Sequence, residues 1–307
     1  MEEITVNIQG IRLDDFVLSQ HHEFTDITLY KFIKGNRIRV NNRKVPLSTR
    51  LNRGDVVRIY MPNQDGPKYL RARTEVDVVY EDDALMIVDK PAGIIINTTD
   101  DSVIDTLANR VILRHVKAGG DESTAPRLCH RLDTGTSGLV IFAKTPEAEE
   151  AVKMLIKKRA IAKEYLTVAI GHPRKDKGKL VNYILKNAER SRVQVYTKKG
   201  GEAKKAILEY SVLDKSERLS LLSVRLITGR THQIRAQFSY ICCPILGDSK
   251  YGNNAVNREY KFKYQALCAY KLTFPDSVPD VLGNVRGKTF CAKLPWYVEQ
   301  FNNKELQ

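Results

Sequence analysis

Hydrophobic residues recur along this chain with two different periods, and the changes of period mark out its elements. Leu13, Phe16 and Val17 share one helical face, and a second helix is predicted from Asp26 to Lys34. Arg37 to Val40 then alternates, with Ile38 and Val40 on one side and the arginines on the other, and Asp55 to Tyr60 behaves likewise. The polar run Asn63-Gln64-Asp65-Gly66-Pro67 reads as a linker, which divides the chain into a small unit at 1–67 and a larger one at 68–307.

Past the linker, strand-like segments between Val76 and Asp89 flank the acidic turn Glu81-Asp82-Asp83, and Val103 to His115 has apolar residues at helical spacing. Gly138 to Ala143 predicts a buried strand. Thr145-Pro146-Glu147 then supplies an N-cap, a proline at the first helical position and an early acid for a helix that buries Ala148, Val152, Leu155 and Ile156 and ends on Lys157-Lys158-Arg159. Tyr165 to Ile170 and Leu219 to Ile227 predict further strands. Arg192 to Tyr196 and Lys204 to Val212, joined by the turn Lys198-Lys199-Gly200-Gly201, read as a basic hairpin arm. Interspersed strands with few helices favour an α+β fold on a mixed, largely antiparallel sheet over a doubly wound one.

Composition narrows the class. The 307 residues carry 50 Lys and Arg against 36 Asp and Glu, a net charge of +14, and 42% are hydrophobic. Such a chain is globular and buries sizeable cores. Met1-Glu2-Glu3-Ile4-Thr5 lacks the flank and apolar stretch of a secretory signal, and no apolar run is long enough to span a bilayer, so a cytoplasmic location is expected. Cys129, Cys242, Cys243, Cys268 and Cys291 form no CxxC pair and read as free thiols. The six histidines include no close metal-ligand spacing, so no metal is expected.

The positive charge is clustered. Lys153 to Lys205 contains sixteen basic and four acidic residues, and from Lys34 to Arg58 eight basic residues face Asp55 alone. Clustering of this kind forms an electrostatic footprint for a polyanion, although ordinary solvated faces can also be basic.

Two polar constellations could carry chemistry. Cys129-His130-Arg131-Leu132-Asp133-Thr134-Gly135-Thr136-Ser137-Gly138 runs into the apolar strand, and its small residues would let a tight loop fix the Asp133 carboxylate. The plainer alternative is a turn in which Asp133 caps backbone amides beside Arg131. Thr228-Gly229-Arg230-Thr231-His232-Gln233-Ile234-Arg235 lies where a strand gives way to a helix. An arginine there can hold a neighbouring carboxylate ionised, or Thr231 can cap the helix with the arginines in solvent.

Taken with Asp89-Lys90-Pro91-Ala92-Gly93, Lys163-Glu164-Tyr165, Gly247-Asp248-Ser249-Lys250-Tyr251-Gly252 and Leu294-Pro295, these runs resemble, in order, those of the RluA-type pseudouridine synthases. The resemblance spans most of residues 75–300. Residues 12–60 more loosely resemble the small ribosomal-protein-type (S-four-like) RNA-binding domain, through Arg12-Leu13-Asp14, Val40-Asn41 and Gly54-Asp55. Thr25-Asp26 replaces the usual Ser-Arg there, and Asn36 the usual glycine.

The resemblance implies an RNA pseudouridine synthase acting on structured RNA, ribosomal RNA of the large subunit first and transfer RNA second, without a cofactor. It implies Asp133 as the essential carboxylate, Arg230 as its ion partner and Tyr165 as the ring that stacks on the target uracil. Arg131 would fill the space the extruded base leaves, with His130, Thr134, Lys163, Thr231, Gln233 and Arg235 contacting RNA. Gln237, Cys243 and Cys268 stand where the family often has histidines, which points to second-layer or RNA-facing positions that alter substrate preference. A non-catalytic RNA-binding or ribosome assembly factor on the same scaffold is the alternative; retention of Asp133, Tyr165 and Arg230 together argues against it. A hydrolase triad of His130, Asp133 and Ser137 lacks a GxSxG elbow and is too crowded within eight residues.

Overall fold

The computed structural model describes all residues except 1, 22, 23, 25, 36, 61–68, 70, 71, 101, 102, 188–191 and 307. Thr25, Asn36 and the linker at 63–67 therefore lie outside the described residues. The chain divides into two compact units, Met1–Pro67 and Lys68–Gln307.

In the first unit β1 (Glu2–Thr5), β3 (Val56–Ile59) and β2 (Ile38–Val40) form an antiparallel sheet in that order, joined by α1 (Leu13–Gln20) and α2 (Asp26–Lys34). Period-2 alternation sends Ile38, Val40, Val57 and Ile59 inward against Leu13, Phe16 and Val17 of α1. Asn41 and Asn42 turn the chain at φ +48° and +66°, a backbone that asparagine tolerates better than most side chains do.

The second unit is built on one large sheet. Its strands are β4 (Asp77–Glu81), β5 (Leu85–Lys90), β6 (Arg127–Leu128), β7 (Ser137–Ala143), β8 (Ala162–Ile170), β9 (Lys177–Asn187), β10 (Arg192–Tyr196), β11 (Lys204–Lys215), β12 (Leu219–Leu226), β13 (Leu267–Thr273) and β14 (Thr289–Cys291). They run in the order β10-β9-β11-β12-β8-β13-β7-β5-β4, with β14 on β13 and β6 on β7. All described pairings between these strands are antiparallel except β13 with β7. A late strand thus enters the centre, between β7 and β8, which follow one another in sequence.

Both faces are covered. Leu166 and Val168 of β8 and Leu219 and Leu221 face α4 (Pro146–Lys158) and α7 (Trp296–Asn302), whereas Tyr165, Leu222 and Val224 face α5 (Gln233–Tyr240). Met86, Val88, Val140 and Phe142 lie under α3 (Leu107–Lys117), which explains why β7 is apolar on both sides. α3 begins at Leu107 rather than Val103, because Thr106 caps it by accepting from the Asn109 amide. Thr145 caps α4 as its sequence implies. The predicted hairpin arm is corrected: β9 lies between β10 and β11 and pairs with both. The Lys198–Gly201 turn therefore connects strands that are not neighbours.

Candidate active site

Asp133 sits on the loop between β6 and β7. Its carbonyl accepts from the Thr136 amide at 3.0 Å, closing a tight turn, and the Thr134 carbonyl accepts from the Gly93 amide at 2.8 Å. Lys90, fully buried, adds a third brace: its amine donates to the carbonyls of Pro91, Ile94 and Thr134 at 3.0, 3.0 and 3.1 Å. Burial pulls that amine down to about 7. Two glycines permit the close packing. A Cβ on Gly135 would lie 2.2 Å from the Gln265 side chain, and one on Gly138, at φ +108°, 2.3 Å from the Ala269 carbonyl of β13.

The guanidinium that meets Asp133 is that of Arg235, in the first turn of α5, and not that of Arg230. Arg235 donates from Nη1 to Asp133 at 2.7 Å and grips Asp248 through Nε and Nη2 at 2.7 and 2.9 Å. Asp248 is fully buried and also accepts from the amides of Lys250 and Tyr251. Burial opposes its ionisation, but Arg235 and the two amides hold its carboxyl below the usual range. One arginine between two carboxylates thus fixes Asp133 from behind, leaving its side chain 27% exposed.

Tyr165 on β8 belongs to the same face as α5, and its hydroxyl is pushed well above its ordinary pKa by burial and then by the Asp133 carboxylate, so it stays protonated. His232 precedes α5 at φ +52° and its Nδ1 lies 2.9 Å from the Tyr251 hydroxyl. That hydroxyl also accepts from the Val193 amide of β10 at 2.7 Å. The Arg235 guanidinium lies 5.3 Å from the centre of the Tyr251 ring.

The structure therefore brings together Asp133, Tyr165 and Arg235, with Asp248, His232 and Tyr251 around them. Arg230 instead donates to the Lys205 carbonyl of β11 at 3.1 Å. Gln233 is buried and committed to Thr228, the Arg230 amide and the Ile207 carbonyl, and Arg235 is spent on two carboxylates, so neither is a free RNA contact. His130 accepts from the Ile141 amide at 3.2 Å, and burial and then Lys163 keep its ring neutral; it braces β7 instead of reaching outward. Lys163 is itself pulled down to about 8 by burial. Arg131, Thr134 and Thr231 are exposed, as RNA-facing residues must be. Gln237, Cys243 and Cys268 are buried, which removes the RNA-facing option for all three; Gln237 donates to Asn182 at 2.8 Å. Sequence reasoning gave Asp248 no role. The only signal was its place inside the Gly247–Gly252 run, because its pairing with Arg235, expected to contact RNA, is made by the fold.

Residues 84–240 match the family described as RNA pseudouridylate synthase, about half of the chain, and the chain belongs to that family. It is an RNA pseudouridine synthase, an isomerase. An uncharacterised RNA pseudouridine synthase of Mycoplasma pneumoniae is 30% identical over 308 residues, covering 94% of each chain. The ribosomal large subunit pseudouridine synthase D of Buchnera aphidicola subsp. Schizaphis graminum is 29% identical over 283 residues, covering 88% of this chain and 87% of its own. Among solved structures, the human RNA pseudouridylate synthase domain containing 4 superposes with a TM-score of 0.62 at 21% identity, over 75% of this chain and 94% of that one, and shares the fold.

Proposed function

We propose that this enzyme isomerises uridines in large-subunit ribosomal RNA, with Asp133 acting on the ribose of the target nucleotide. The observation that carries the assignment is the Asp248–Arg235–Asp133 chain, which presents one partly solvated carboxylate on a rigid base. The bond between N1 of uracil and the anomeric carbon breaks, the base turns, and C5 bonds to that carbon while its proton leaves and N1 gains one. Asp133 either attacks the anomeric carbon or removes a proton from the neighbouring sugar carbon. Tyr165, protonated and buried beside it, is placed to stack on the uracil, and Arg235 replaces Arg230 as the counter-ion. Extrusion of the base costs a few kcal/mol, and exposed Arg131 suits the vacated space.

Ribosomal RNA is favoured by the printed name of the Buchnera relative and by the basic surface. Lys177, Lys179, Lys186, Lys204 and Lys205 on β9 and β11 are exposed, giving a phosphate grip that weakens steeply with salt. The small N-terminal unit, with its two helices and three-stranded sheet, is assigned as an S-four-like second RNA grip, and the cytoplasm as the place of work.

Asp133→Asn should abolish pseudouridine formation while leaving RNA binding within severalfold. Pseudouridine maps of ribosomal and transfer RNA from cells with and without the gene test the target. A site lost only from transfer RNA refutes the ribosomal assignment; unchanged activity of D133N refutes the mechanism.

A further inference from the structure

A cleft opens on the catalytic unit beside the loop that carries Asp133. Its volume is about 1080 Å³, at or above the roughly 300–1,000 Å³ usual for small-ligand sites. Asp133, Tyr165 and Arg235 do not line it. Its inner wall includes Lys90, Pro91 and Ala92, part of the segment that braces the Asp133 loop from behind. Its outer wall carries Trp296, which is 54% exposed yet stacked on Phe262, ring centres 4.8 Å apart and planes 30° apart. Exposed Lys261, Lys263 and Lys293 frame this aromatic pair.

Two of the three carboxylates that line the cleft, Asp77 and Asp89 but not Glu75, are engaged by Lys293. Lys293 ion-pairs with Asp77 and donates its amide to Asp89. Among the described ion pairs, neither Lys261 nor Lys263 has a carboxylate partner; the Lys263 amine lies 5.3 Å from the Tyr264 ring centre. A braced indole within a lysine frame is what a single-stranded nucleic acid uses: the ring stacks on any base and the ammonium groups meet phosphates. An apolar peptide would have no use for the cations.

We propose that this cleft holds an unpaired stretch of the RNA substrate, a base on Trp296 and its phosphates at Lys261 and Lys263. The inference rests on the enzyme's being an RNA pseudouridine synthase and adds a site for strand flanking the target.

Trp296 is the only tryptophan of the chain, so stacking reads as quenching of its fluorescence. The full chain is titrated with a uridine-rich single-stranded hexanucleotide and with a hairpin duplex, and turnover on its RNA substrate is followed in the same samples. The single strand quenches saturably and the duplex does not. K261E/K263E weakens the single strand about tenfold, and W296A, read by anisotropy of a labelled oligonucleotide, weakens it by a similar factor, as loss of one stacked base does. Turnover with unquenched tryptophan, or quenching indifferent to K261E/K263E, overturns the cleft and leaves the enzyme intact. Quenching by an apolar peptide that RNA cannot displace assigns the cleft to a protein partner and overturns the proposal equally. Saturable quenching without any turnover supports the cleft and sinks the catalytic reading instead.

Discussion

Asp133 and Asp248 share one arginine, yet their environments predict opposite consequences of the same substitution. Asp248 is fully buried and accepts four hydrogen bonds, two from Arg235 and two from backbone amides. Asp248→Asn keeps its shape and removes its charge. Removing one partner of a buried pair typically costs 3–5 kcal/mol; here Arg235 retains Asp133, so the lower end applies, about 3 kcal/mol. In a unit of this size each kcal/mol shifts Tm by roughly 2–4 °C, which predicts a fall of about 6–12 °C. Asp133→Asn removes a single contact from a side chain 27% exposed, for which about 1 kcal/mol or less is expected. Activity follows the reverse order: D133N abolishes it, whereas D248N lowers kcat up to about a hundredfold by loosening the arginine that aims the carboxylate. The assay is thermal unfolding followed by the fluorescence of Trp296, which belongs to the same unit, alongside pseudouridine formation. The carboxyl of Asp248 is depressed on folding, so its stabilisation is present above the ordinary carboxylate pKa and lost as pH falls through the folded value. D248N should therefore also flatten the acid limb of stability. A D248N protein as stable as wild type, or one more stable than D133N, refutes the view that Asp248 anchors the site.

Four further outcomes follow from the geometry. Folding depresses the Lys90 amine to about 7, so the unfolded chain binds more protons between about 7 and 10; wild-type stability should rise with pH across that window relative to Lys90→Met, and parallel curves would contradict the buried-amine account. Tyr251→Phe removes the acceptor for the Val193 amide and the hydroxyl partner of His232 Nδ1, costing about 1–2 kcal/mol and lowering kcat more than it raises KM; steady-state kinetics and urea unfolding check both. Gly138→Ala puts a Cβ onto the Ala269 carbonyl at positive φ and should cost about 3 kcal/mol or more, seen as loss of soluble, cooperatively unfolding protein. Arg131→Ala should impair turnover more on duplexed than on unstructured RNA, and equal losses on both would remove its role in filling the stack.

The sequence by itself determined most of the elements and the loop that carries Asp133. Alternation in Ile38–Val40, the cap at Thr145 and the apolar run ending at Ala143 are local consequences of period and turn chemistry, readable without a fold. The loop carrying Asp133 was legible for the same reason, since its small residues and the strand after it are contiguous. What only the tertiary structure decided is pairing across long separations. β13 enters between β7 and β8, β9 separates β10 from β11, and Arg235 reaches Asp133 across 102 positions of sequence. Arg230 and Arg235 carry the same charge in one motif, and local pattern cannot rank them. The start of α5 at Gln233 turns Arg235 into the core and leaves Arg230 against β11, because a helix fixes the direction of each side chain where the preceding turn does not. Burial likewise decides that Asp248 must be paired and that Lys90 must find carbonyls, and burial is a property of the assembled layers rather than of any stretch of chain.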